Sequence, residues 1–209
     1  MNESANRMQG LLRDLLSYSQ ITSRGKPFTR TDLVEIVQRV TKDLDYQIES
    51  SAANIEIKSL PGIEADPTQM YQLFQNLLGN ALKFHKPGQN PVITVSTKNC
   101  EQNQLLSGLK KSDDHKVCEI VVKDEGIGFD EKYLERIFQP FERLHSVGEY
   151  EGTGMGLAIC RKIVERHGGS ISASSAPGKG ASFIIHLPTQ QKEEGTHDKQ
   201  TSHNIISRG

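Results

Sequence analysis

The chain has 209 residues, enough for one well-cored domain with an appendage. Its formal net charge is −1, from 25 basic and 26 acidic residues, which argues against a general polyanion-binding surface for nucleic acid or anionic lipid. No apolar run has the length of a membrane span, the N-terminus lacks a signal-peptide core, and Cys100, Cys118 and Cys160 lack metal-ligand spacing, so they read as reduced thiols of a cytoplasmic chain.

Asn2 to Ile21 reads as a helix, with Ala5, Met8, Leu12, Leu15 and Ser19 at heptad-like spacing and Leu11, Leu16 and Tyr18 widening the stripe. One helix of this length cannot bury such a face by itself. The face calls for another copy, a segment outside this chain, or the chain's own main domain. Thr22 to Lys26 follows as a linker. Thr31-Asp32 starts a second helix whose apolar face is Leu33, Ile36, Val37, Val40 and Leu44. A short strand at Asn54 to Ser59 and a Pro61-Gly62 turn lead to Asp66-Pro67, a capping side chain followed by proline at the first helical position.

The helix that starts there carries chemistry. Met70, Leu73, Phe74, Leu77, Leu78 and Ala81 share one side, while Asn76, Asn80 and Lys83 fall together on another. Such a polar face suits plain solvation; it also suits a hard cation such as Mg²⁺ and the phosphates the cation bridges. Pro91 to Lys98 reads as a strand and Asn99 to His115 as a surface insertion.

In the strand Val117 to Val122, Cys118, Ile120 and Val122 share a face, and the same alternation turns Asp124 inward. A buried carboxylate needs a partner, and the following Gly126 and Gly128 leave room for a flat ligand beside it. A purine with an exocyclic amine meets both demands. Gly152, Gly154 and Gly156 then open a helix through Met155, Ile159, Cys160, Ile163 and Val164, and free N–H groups at a helix start suit phosphate. His167, before Gly168-Gly169, complements that helix's C-terminus. Ser170 to Ser174 and Ala181 to Leu187 form a closing strand pair, and the charged, apolar-poor residues 189–209 read as disordered.

Together these stretches resemble the ordered boxes of sensor histidine kinases. Asn76 to Phe84 is similar to the N box, Asp124 to Gly128 to the first glycine box, Ile137 to Leu144 to the F box, Gly152 to Leu157 to the second glycine box, and Gly178 to Phe183 to the last. The run Arg143-Leu144-His145 with Glu149 to Gly152 resembles the short-lidded kinases of phytochrome-like photoreceptors. The resemblance implies an α/β fold, a two-layer Bergerat-type sandwich of a mixed β-sheet covered by helices and preceded by one long N-terminal helix. It divides the chain into residues 1–22, similar to the second helix of a dimerisation and phosphoacceptor hairpin, a linker at 23–30, the catalytic ATP-binding domain at 31–188, and the tail.

The same resemblance implies ATP and Mg²⁺ as cofactors. Asp124 would accept from the adenine amino group beside Gly126 and Gly128, with Ser182 sharing a water there and Phe84 packing near the base. Asn80 would ligate the metal. Asn76, Lys83 and Arg143 would act at the phosphate side, and Gly152, Thr153, Gly154, Met155, Gly156 and Leu157 would hold the phosphates under a lid at 144–151. The implied partners are a phosphoacceptor histidine hairpin, a response regulator receiver domain and a second copy of the chain, with no nucleic acid. None of the seven histidines lies in a phosphoacceptor context. A kinase catalytic part is therefore expected to lack its own target histidine; the alternative is a nucleotide-gated module that regulates a partner without phosphoryl transfer.

Overall fold

Two acidic caps set the start of the helices that matter most. Asp32 accepts from the Val34 amide at 2.8 Å. Asp66 Oδ1 accepts from the Thr68 and Gln69 amides at 3.0 and 3.2 Å, with Pro67 in the first turn. The computed structural model describes residues 2–102, 116–144 and 152–191. In chain order these form α1 (Asn2–Ser23), β1 (Thr29–Asp32), α2 (Leu33–Asp43), α3 (Asp45–Ser51), β2 (Asn54–Ile57), β3 (Gly62–Ala65), α4 (Pro67–Lys83), β4 (Val92–Gln102) and β5 (Lys116–Asp124). Two single-turn 3-10 helices, Glu131–Tyr133 and Arg136–Phe138, precede α5 (Gly156–Arg166), β6 (Ser170–Ser175) and β7 (Ala181–Pro188).

The main sheet has the order β2-β4-β5-β7-β6, with β2 parallel to β4 and every other pair antiparallel. Period-two alternation sends Ile93, Val95, Ile120, Val122, Phe183, Ile185 and Leu187 into one core with Leu73, Phe74 and Leu77 of α4 and Ile159 and Ile163 of α5. The opposite face is mixed: Glu119 and His186 are register partners 3.6 Å apart, and Val121 pairs with Ile184 beside them. Sheet and helices make the two layers of the expected Bergerat-type sandwich.

Several local expectations need correction. Thr29 to Asp32 is a strand before it becomes a cap, pairing with β3, which the Pro61-Gly62 turn signal had hidden. Residues 189–191 belong to the folded body: Glu64 donates its amide to Thr189 O at 3.0 Å and accepts from the Gln191 amide at 2.8 Å. Residues 192–209, most of the 99–115 insertion and the lid residues 145–151 lie outside the described residues. Cys118 is disulfide-bonded rather than a free thiol, and the antiparallel register sets Cys100 directly opposite it.

The expected linker is stapled down. Arg166, on the last turn of α5, donates to Lys26 O at 2.8 Å, to Gln69 Oε1 at 2.9 Å and to Asp66 Oδ2 at 3.3 Å, and lies 4.7 Å from the Phe28 ring. A side chain at Gly25 would collide with its guanidinium. Beside it, His167 is sealed from solvent: Nε2 accepts from the Asp66 amide at 3.0 Å, so Nδ1 carries the proton and donates to Ile163 O at 2.7 Å. The expected role at the helix C-terminus holds, with a neutral ring. Burial, and secondarily the Arg166 charge, lower its pKa.

Helix α1 is shared between two environments. Gln69 Nε2 donates to Ile21 O at 2.8 Å and Gln72 Nε2 to Ser17 Oγ at 2.6 Å, so the face containing Ser17 and Ile21 docks on the chain's own domain. Met8, Leu12, Leu15 and Leu16, most of the heptad stripe, stay exposed.

Candidate nucleotide site

The sheet end of β5, the polar face of α4 and the start of α5 converge on one cavity of about 270 Å³. It is lined by Asn76, Asn80, Lys83, Phe84, Asp124, Gly128, Arg143, Gly152, Thr153, Gly154, Gly156 and Leu157 among the residues expected from sequence. Residues separated by more than 80 positions in the chain are thus brought together by the packing of α4 and α5 on the same sheet face.

At one end stands Asp124, 9% exposed. Its Oδ1 accepts from the Gly126 amide at 2.8 Å and the Ala181 amide at 3.2 Å. No other hydrogen bond reaches the carboxylate among the described residues, so Oδ2 retains acceptor capacity for a ligand amine. Burial raises the Asp124 pKa, and those two amides pull it back down. The backbone around it is interlocked. A side chain at Gly126 would strike the Phe84 carbonyl, and one at Gly180, where φ is +75°, would strike the Asp124 carbonyl. Gly126 and Gly180 thus serve main-chain packing behind the carboxylate, while Gly128 lines the cavity.

The other end is built from side chains. Lys83 Nζ lies 4.4 Å from the Phe84 ring centroid, and a Cβ at Gly152 would sit 3.1 Å from that nitrogen. Arg143 Nη1 donates to Gly152 O at 3.0 Å. Asn76 turns Oδ1 towards Gly156, and its buried amide meets the Cys160 thiol, whose pKa burial raises and that amide lowers in part.

Three expected residues do not line the cavity. Ser182 is flanked by Ala181 and Phe183, which do line it, so strand alternation turns Ser182 to the opposite sheet face. Met155 is wholly buried in the core at the N-cap of α5, and Gly126 sits behind Asp124. Sequence reasoning assigned no site role to Asp14, Ile127, Phe129, Ile137 and Glu142, which line it together with Ala81, Leu144, Ala181 and Phe183. The apolar members had no distinguishing signal beyond core periodicity, and Asp14 had none at all.

Residues 65–191 match the family model described as histidine kinase-, DNA gyrase B-, and HSP90-like ATPase. The phytochrome-like protein Cph1 of Synechocystis sp. is 39% identical over 181 residues, covering 87% of this chain and 22% of the relative. Sensor histidine kinase WalK of Bacillus subtilis is 32% identical over 200 residues, covering 92% of this chain and 30% of that protein. The chain thus spans under a third of the length of these two relatives. The solved catalytic domain of histidine kinase ThkA superposes with a TM-score of 0.61 at 26% identity, over 79% of this chain and 97% of that one. With more than half of its length matched by the family model, the chain belongs to the histidine kinase-, DNA gyrase B- and HSP90-like ATPases.

Proposed function

We propose that this chain is the ATP-binding catalytic part of a two-component sensor histidine kinase, passing the γ-phosphate to a histidine on a separate phosphoacceptor hairpin. The observation that carries the reading is the convergence of Asp124, the polar face of α4 and the Gly152 to Gly156 loop on one cavity. Asp124 Oδ2 would accept from the adenine amine, selecting adenine over guanine, whose six-position is a carbonyl. Phe84, Ile127 and Phe129 would flank the base. Lys83 and the backbone amides of the glycine loop would receive the phosphates, with Asn76 beside them, and Arg143 would reach the terminal one on leaving Gly152 O.

Among the described residues no group of three His, Cys, Asp or Glu could hold a metal by itself. Asn80 fits a Mg²⁺ ion whose remaining ligands are phosphate oxygens and water, and the bound ion would supply neutralisation of phosphate charge. Phosphoryl transfer asks the protein mainly for positioning and charge compensation. Asn76 cannot take a proton, so the side chain one turn before Asn80 does not activate water, which favours a kinase that keeps ATP intact over an ATPase. Asn76→Glu is expected to raise phosphate release in the absence of an acceptor.

Calorimetric titration with Mg²⁺-ATP, with GTP as control, tests the site; saturable, adenine-selective binding is expected. Adding an isolated phosphoacceptor hairpin and radioactive ATP tests the transfer. Labelling of the hairpin supports the kinase, whereas tight binding without labelling supports a nucleotide-gated interaction module. A receiver domain is the expected downstream partner, since a structural neighbour, ThkA, was solved with the response regulator protein TrrA.

A further inference from the structure

Helix α1 places a carboxylate where the nucleotide reading puts phosphate. Asp14 lines the cavity, and its Oδ2 accepts from Thr153 Oγ1 at 2.5 Å. Thr153 is the residue between the first two glycines of the phosphate-side loop, and its Oγ1 also accepts from the Met155 amide at 3.3 Å. The chain of bonds therefore runs from the start of α5 through the loop to α1. Gly10, one turn before Asp14, lies against the loop: a Cβ there would make an ordinary van der Waals contact with Thr153 Cγ2 at 3.6 Å. The depth of Asp14 is fixed from behind by the Ser17 and Ile21 bonds to α4.

The local charges do not favour this arrangement once a triphosphate arrives. Lys83 and Arg143 face Asp14, Glu142 and Asp124 around the cavity. Glu142 is paired with Arg136 at 2.8 Å, and Asp124 is held by two amides, whereas Asp14 is bonded to a neutral hydroxyl. A carboxylate near an added anion opposes it, and the opposition grows with the anion's charge. We infer that Asp14 is a specificity-determining residue that competes with the terminal phosphate for the Thr153 loop, so that triphosphate binding and the docking of α1 exclude one another. The inference rests on the nucleotide reading above. A diphosphate, one phosphate shorter, leaves the Asp14 to Thr153 bond in place, and a triphosphate releases it.

The test uses the whole chain with Asp14→Asn and, separately, Thr153→Val, with ATP and ADP titrated at fixed Mg²⁺. Asp14→Asn is expected to tighten ATP about tenfold and ADP by less than about threefold. Unchanged or weakened ATP binding overturns the inference; a weakened value assigns Asp14 to the metal instead. Amide hydrogen exchange over residues 8–18 gives a readout independent of affinity. ATP should speed that exchange in the wild type and ADP should not, and Thr153→Val should speed it with no nucleotide present. Equal protection in all states overturns the inference. If neither chain binds ATP, the nucleotide reading itself fails, and exchange in Thr153→Val then shows separately whether the α1 bond was real.

Discussion

The two ends of the cavity are made differently. Asp124 is set by main chain packed behind it: Gly126 under the Phe84 carbonyl, Gly180 under the Asp124 carbonyl, and the Gly126 and Ala181 amides on the carboxylate. Around Gly152 to Gly156 the polar groups are side chains, Lys83, Arg143, Asn76 and Asp14. Main-chain packing is as rigid as the fold, so the carboxylate is preformed in one position. Side chains can exchange partners, so the other end can respond to what enters. Recognition and response are thereby separated by construction.

The largest effect should come from breaking the rigid end. Gly180→Ala forces a Cβ against a carbonyl at φ +75° and is expected to destabilise by about 3 kcal/mol or more, read by urea unfolding. Gly178→Ala, at nearly the same φ of +74° but with open space around it, isolates the backbone term at about 1 kcal/mol. If the two variants unfold alike, the interlock is not what holds that end.

Asp124→Asn should weaken ATP by about ten- to a hundredfold, or roughly 1.5–3 kcal/mol, by loss of a charged acceptor. Its effect on the empty fold should be opposite in sign. The folded pKa of Asp124 is raised, so its contribution is fully favourable below the unfolded value of 3.8 and is lost as pH rises through the folded one. The stability of the wild type relative to the variant should therefore fall on going from acid towards neutral pH.

His167 behaves in the reverse way. Its folded pKa lies below the ordinary 6.5, so its stabilising contribution is present above 6.5 and lost as pH falls through the folded pKa. Thermal unfolding of wild type against His167→Gln should show this loss, of about 1 kcal/mol, because a protonated ring cannot accept from the Asp66 amide. The smallest effect belongs to the adaptable end: Asn76→Ala, which removes the amide beside the Cys160 thiol, should change the stability of the empty fold by no more than about 1 kcal/mol.

Much of this was legible in the sequence because it is written locally. Asp66-Pro67, the two-sided α4 pattern and the glycine clusters are each contained in one element, and each element formed where its pattern placed it. The strand alternation that turned Asp124 inward could have been applied to β7 as well, where it separates Ser182 from Ala181 and Phe183. What stayed hidden depends on juxtaposition. Asp14 meets Thr153 across 139 positions, Arg166 reaches Lys26 across 140, and the Cys118 to Cys100 register follows from a strand pairing that no single segment specifies. The β1-β3 ladder is four residues long, and β1, Thr-Arg-Thr-Asp, carries no apolar residue to mark it as a strand.

The grip of Arg166 on the segment after α1 makes that helix a lever with a fixed fulcrum. Ile21, buried and hydrogen-bonded to Gln69, marks the pivot. At 1.5 Å rise per residue, Asp14 lies about 10 Å and Met8 about 20 Å along the arm. A swing of the outer end therefore reaches the Thr153 loop at half its size, and a shift of one ångström at the loop swings the exposed Met8 end by about two. The mechanical advantage favours the nucleotide side in displacement and the outer side in force: whatever grips Met8 can prise Asp14 from Thr153 with about half the pull that the loop itself would need.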